Sequence, residues 1–100
     1  MFSSLTICRK AGKLMLGFDA AADAVNARQA NLVLLSQDVS PKTEKEIRFL
    51  AGKAGGVPVM RLPYTMDALA FYFRKRTAVL AVCEKGFAAK LIGMLEESNT

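Results

Sequence analysis

An α/β fold is predicted, a three-layer α/β/α sandwich with a small four-stranded mixed sheet, on three observations. Leu32-Val33-Leu34-Leu35 and Ala78 to Cys83 are short, wholly apolar runs bounded by polar residues, the pattern of strands covered on both faces. Segments with helical spacing alternate with these and with two weaker strand candidates. Connections run to roughly two to six residues, and no repeat, linker or low-complexity tract interrupts the alternation. Residues 1–97 read as one domain, with 98–100 as a frayed tail.

Each element has its own signal. Ser3 and Ser4 can cap a first helix with Leu5, Cys8 and Ala11 on one face, stopped by Gly12. Lys13 to Leu16 is a strand candidate ending at Gly17. The alanine-rich run from Asp19 to Ala27 suits a helix packed closely on a sheet, and Asn31 to Ser36 holds the first central strand. Ser40 is an N-cap and Pro41 fits the first helical position, where its missing N–H costs nothing. Ile47, Leu50 and Ala54 then mark the buried face of a helix that Gly55 and Gly56 terminate. Val57 to Met60 is a short strand whose proline places it at an edge or a strand start. Met66, Leu69, Ala70 and Phe73 repeat at i, i+3, i+4 and i+7 behind Thr65, a helix with its cap. Ala78 to Cys83 forms the last strand, and Phe87, Leu91 and Leu95 lie along a C-terminal helix.

Composition removes several function classes. Apolar residues make up 52% and charged residues 23%, which is globular rather than disordered usage. The chain has no histidine, so Ser-His and Cys-His nucleophiles and His-containing metal sites are absent. Cys8 and Cys83 are too few for a disulfide framework, form no CxxC pair, and read as buried thiols. No cofactor and no metal are expected. The first residues show no signal peptide, and stretches such as Ala78 to Cys83 fall far short of a membrane span of about 20 residues. A cytoplasmic address and no membrane partner are the corresponding expectations.

Phosphate-binding motifs are missing, because Gly52, Gly55 and Gly56 end a helix rather than begin one. Asp19 and Asp23 lie four apart on one helix face, where solvated acids near a helix start are ordinary. Cys83-Glu84-Lys85 lacks the base that would make it a nucleophile. The basic residues say more. Fourteen Lys and Arg against nine Asp and Glu leave a net charge of +5, which points to phosphate-rich partners. Arg74-Lys75-Arg76 exceeds what one helix C-terminus needs, and Arg9, Lys10 and Lys13 make a second cluster. Lys42 opposes the dipole at the start of its helix, which a bound phosphate would explain. Phe71 and Tyr72 stand off the buried stripe, either packing on a neighbouring helix or offering a surface for a base or a protein.

Arg9-Lys10-Ala11-Gly12-Lys13-Leu14, Gly17 and Ala30-Asn31-Leu32-Val33-Leu34-Leu35-Ser36-Gln37-Asp38-Val39-Ser40 resemble a family pattern, RAGKL…G…AKLVLLAEDAS. Lys42 to Ile47, Val57-Pro58-Val59 and Gly86 to Leu91 are similar to its later NTKKKI, IPV and GFAKKL segments. The resemblance is to the YlxQ-like bacterial branch of the kink-turn-binding ribosomal protein superfamily, and it covers nearly the whole chain. It implies an α/β/α sandwich and a non-catalytic, ribosomal-protein-like domain that binds structured RNA at one end. By that resemblance the RNA-binding residues are Lys13, Gly17, Phe18, Asp19, Gln37, Asp38, Lys42, Arg74, Lys75, Arg76 and Thr77. Two departures bear on base reading. Gly17-Phe18-Asp19-Ala20 stands where kink-turn binders carry G-x-N-E, and Asp23 stands where a lysine follows. Asp19 can accept from guanine imino and amino groups; Ala20 cannot, and Asp23 repels phosphate. Ribosomal or other proteins are further expected partners. The alternative is a protein-interaction module with a decayed RNA surface, using Phe18, Phe71 and Tyr72.

Overall fold

The computed structural model describes residues 1–98, in the order α1 (Phe2–Lys10), β1 (Leu14–Leu16), α2 (Phe18–Asn26), β2 (Leu32–Leu35), α3 (Pro41–Lys53), β3 (Val59–Arg61), α4 (Met66–Phe73), β4 (Val79–Val82) and α5 (Lys85–Ser98). Of the expected tail, Ser98 closes α5, and Asn99 and Thr100 lie outside the described residues. The sheet runs β1-β4-β2-β3. β4 pairs antiparallel with β1 and β2, and β2 pairs parallel with β3, so the sheet is mixed as expected.

The two apolar runs are the central strands, and alternate side chains feed opposite layers. Leu32, Leu34, Leu80 and Val82 pack under α1, α4 and α5 with Leu5, Cys8, Leu69, Phe73, Leu91 and Leu95. Val33, Leu35, Val79 and Ala81 pack under α2 and α3 with Ala21, Ala24, Val25 and Ile47. Both strands are therefore buried on both faces. Each fully buried Leu or Val contributes about 1.5–3 kcal/mol, so the centre of the sheet holds both layers in place.

Local signals account for most element ends. The Ser40 hydroxyl accepts from the Thr43 N–H at 3.2 Å with Pro41 behind it, and the Thr65 hydroxyl accepts from the Ala68 N–H at 3.2 Å. Gly12, at φ +74°, closes α1 by donating to the Arg9 carbonyl. Three expectations need correction. α1 begins at Phe2, so Ser3 and Ser4 lie within its first turn, and Ser4 is buried rather than capping. β3 starts two residues later than expected, because Pro58 has no N–H to donate. Its carbonyl accepts from Val33 just outside the strand. Cys83 is half-buried, unlike Cys8. The two thiols are free and pack with opposite layers of the sheet.

Candidate functional site

Strand direction decides which residues share an end of the sheet. β1, β2 and β3 end where β4 begins, with Leu16 opposite Leu80 and Leu35 opposite Val79. α2, α3 and α4 all start from this end, which thus collects three helix N-termini with outward-pointing N–H groups. Gly17, Phe18 and Asp19 open α2; Gln37, Asp38 and Lys42 lie between β2 and the first turn of α3; Arg74 to Thr77 join α4 to β4.

Side chains staple these loops together. Gly17 caps α2 at φ +98°, ψ 158°, a conformation nearly confined to glycine, and its N–H donates to the Val79 carbonyl at 2.8 Å. The Lys75 ammonium passes over it to donate to the Leu16 carbonyl at 3.3 Å. A Cβ on residue 17 would stand 3.4 Å from Lys75 Nζ, so glycine lets the cation lie against the turn. The Gln37 N–H donates to the Tyr64 carbonyl at 2.7 Å, and Asp38 Oδ1 accepts from the Met66 N–H at 2.9 Å. The Met66 N–H, with lesser help from the Asp38 backbone N–H, the buried Ser36 hydroxyl and the Arg76 guanidinium, holds the Asp38 carboxyl below the usual carboxylate range. Arg76 is ion-paired with Asp67.

These contacts sort the expected site residues. Lys42 and Arg74 are exposed, and neither side chain takes part in a hydrogen bond or ion pair among the described residues; Lys75 is exposed and anchored. Arg74 closes α4 in the left-handed region at φ 58°, ψ 25°, which an unbranched cation adopts at a cost of about 1 kcal/mol. Asp19 is exposed in the first turn of α2 with Asp23 one turn on, while Phe18 packs half-buried against the α2–α3 layer. Asp38 is occupied in capping α4. Thr77 is 3% exposed, and its hydroxyl donates to the Val79 carbonyl at 2.8 Å, so its side chain does not reach the surface.

Lys13 is not brought to this end. It precedes β1, its carbonyl accepts from the Cys83 N–H at 2.8 Å, and its charge acts on Cys83 and Glu84 at the opposite end. Four residue-to-residue steps of extended chain, about 13 Å, separate it from Gly17. Burial pushes the Cys8 thiol up to about 11, with Cys83 and Glu84 adding to the rise, and burial raises Cys83 against the pull of Lys13. Both therefore stay thiols at neutral pH rather than nucleophiles.

Tyr64, Met66 and Asp67 escaped sequence reasoning. The first two act through the backbone, which side-chain type does not report. Asp67 carried a readable signal as an acid in the first turn of α4, but its partner Arg76 lies beyond the helix. Among the described residues, no helix is long and apolar enough to cross a membrane.

The model of the ribosomal protein L7Ae/L30e/S12e/Gadd45 family matches residues 1–92. The chain belongs to that family. A protein of unknown function from Bacillus halodurans is similar to this L7Ae-family chain, with a TM-score of 0.84, 27% sequence identity and 94% of each chain covered. The 15.5 kD RNA-binding protein of Giardia lamblia shares the fold at a TM-score of 0.75 and 20% identity, over 94% of this chain and 82% of that one. No curated protein sequence matches the chain.

Proposed function

We propose that this L7Ae-family chain is a non-catalytic, ribosomal-protein-like RNA-binding protein of the bacterial cytosol, in the YlxQ-like branch. It holds structured, kink-turn-like RNA at the end of the sheet where Gly17 lies. The observation that carries the reading is that exposed Lys42, Arg74 and Lys75 belong to the loops and helix ends at one end of the sheet, the end that also gathers three helix N-termini, with Lys75 over the Gly17 turn. The family supports it, as does a shared fold with a Giardia lamblia protein that binds RNA. The Bacillus halodurans relative supports the bacterial branch.

In this reading Lys42 and Arg74 contact phosphates, and Lys75 does so from its post over Gly17. Glycine lets an RNA backbone approach the start of α2, where exposed Asp19 accepts from guanine edges in a widened groove. Ala20 offers no partner there, so base recognition rests on Asp19, and phosphate contacts dominate affinity.

The test is titration of the protein against a labelled kink-turn RNA and an unkinked duplex of equal length, at about 50 and 200 mM salt. Preference for the kinked RNA at both salts, lost in Asp19→Ala, is expected. Equal binding to both RNAs would remove the kink-turn part. Absence of binding at the lower salt would overturn the RNA reading.

A further inference from the structure

On the surface, α1 and α4 leave an apolar groove of about 370 Å³, lined by Phe2, Ser3, Thr6, Ile7 and Tyr72. Ile7 is 55% exposed, Tyr72 54% and the adjoining Phe71 81%, a concentration of apolar surface that no element among the described residues covers. We propose that this groove docks an acidic amphipathic helix of a protein partner.

Ring geometry favours apolar side chains over nucleobases. Phe2 stacks on Tyr72 at 3.8 Å between ring centres and meets Tyr64 at 4.1 Å, and Phe71 stands edge-on to Tyr72 at 5.3 Å. Phe2 and Tyr72 each spend one face on the other, and the aliphatic Ile7 adds an exposed wall beside Phe71. Such a surface receives branched side chains better than it stacks bases. α1 and α4, nine and eight residues long, extend about 12–14 Å, the length of two to three helical turns.

Charge specifies the partner further. α1 contains no acid and ends in Arg9 and Lys10. Arg9 lies 5.9 Å from the Phe73 ring, which brings the end of α1 beside Arg74 at the end of α4. Asp67, the acid in α4, is taken by Arg76. The rim is thus cationic at one end on a chain of net charge +5, which repels a second copy and attracts an acidic segment. The partner's acids should lie toward Arg9 and Lys10.

The probe is a labelled helical peptide of about three turns, with leucines at i, i+3, i+4 and i+7 and glutamate on its remaining face, paired with a version carrying lysine for glutamate. Fluorescence anisotropy should show the glutamate peptide binding at least about tenfold tighter than the lysine peptide. Ile7→Glu and Phe71→Ala, both at exposed positions and checked for folding by circular dichroism, should each weaken it about tenfold. Lys10→Glu should narrow the ratio between the peptides. Equal binding of the two peptides, no binding of either, or affinity unchanged in both apolar variants overturns the proposal. So does displacement of the peptide by single-stranded oligouridine, which would make the surface a base platform. Self-association abolished by Ile7→Glu would likewise replace the partner by a second copy. None of these readouts depends on kink-turn binding.

Discussion

The two ends of the sheet use one device for different purposes. At each end a cation crosses a glycine of positive φ to reach a backbone carbonyl. Lys75 crosses Gly17 to the Leu16 carbonyl, and Arg28, following α2, crosses Gly55 to the Ala54 carbonyl at 3.2 Å. At the far end, the cation making the contact is also the residue in the left-handed conformation, since Arg28 has φ 58°. At the loop end these duties are divided. Lys75 makes the contact, and Arg74 takes the left-handed position with its guanidinium uncommitted. The far end spends its strained residue on joining α2 to α3, whereas the loop end leaves a strained, charged residue facing solvent. Both left-handed residues serve the backbone, Arg74 by closing α4 with a 2.8 Å bond to the Ala70 carbonyl, so the ends differ in what the side chain does.

Removing charge at each end breaks the comparison most directly. The double variant Lys42→Ala/Arg74→Ala should lower RNA affinity about a hundredfold at about 0.1 M salt, since each lost phosphate contact costs about tenfold there. The slope of log affinity against log salt should fall by about two. The matched variant Lys13→Ala/Lys85→Ala changes net charge equally at the opposite end and should cost threefold or less, by loss of the long-range field. Equal losses in the two variants would mean that RNA reads overall charge and that neither end is a site.

Much of this arrangement was legible in sequence because its causes are local. Leu32–Leu35 and Val79–Val82 betrayed central strands by unbroken apolarity, and Ser40-Pro41 and Thr65 announced helix starts through short-range bonds. Lys13 entered the expected site by family resemblance, and the strand between it and Gly17 carries it to the other end of the sheet. Thr77 follows three exposed cations yet turns inward to Val79, a choice set by the edge of the core. The Phe2, Tyr64 and Tyr72 cluster joins the start of α1 to α4 and the loop before it, and no periodicity within α1 or α4 encodes it.

A smaller effect sharpens the division of labour between the arginines. Arg74→Gly relieves a left-handed side chain, worth about 1–2 kcal/mol, against about 0.5–1 kcal/mol of added unfolded-state freedom. It should stabilise the protein by about 0.5 kcal/mol in urea denaturation while weakening RNA binding about tenfold. Arg28→Gly gains the same relief but loses the bond to the Ala54 carbonyl, so it should be neutral or destabilising by about 0.5 kcal/mol and leave RNA binding unchanged. Stabilisation by both substitutions would show that the Arg28 bond contributes nothing and that the ends are alike.

Acid should separate the ends more gently. Glu84 caps α5 at the far end, accepting from the Phe87 N–H at 2.7 Å and the Gly86 N–H at 2.9 Å, and these bonds hold its carboxyl below the usual range. Asp38 does the same for the start of α4 at the loop end, chiefly through Met66. A carboxyl lowered in the folded state contributes stability that is fully present above its unfolded pKa, about 4, and is lost as pH falls through the folded value. Asp38→Asn and Glu84→Gln should therefore each be less stable than the parent at neutral pH, with the gap closing as pH drops below the ordinary carboxylate range. Urea titrations at stepped pH measure that closure. RNA affinity distinguishes the two, because Asp38 fixes the loops that present Lys42 and Arg74, whereas Glu84 fixes only α5. Asp38→Asn should weaken RNA binding a few-fold and Glu84→Gln should not. If Glu84→Gln alone lowered affinity, the interface would have to be moved to the end of the sheet that holds Lys13.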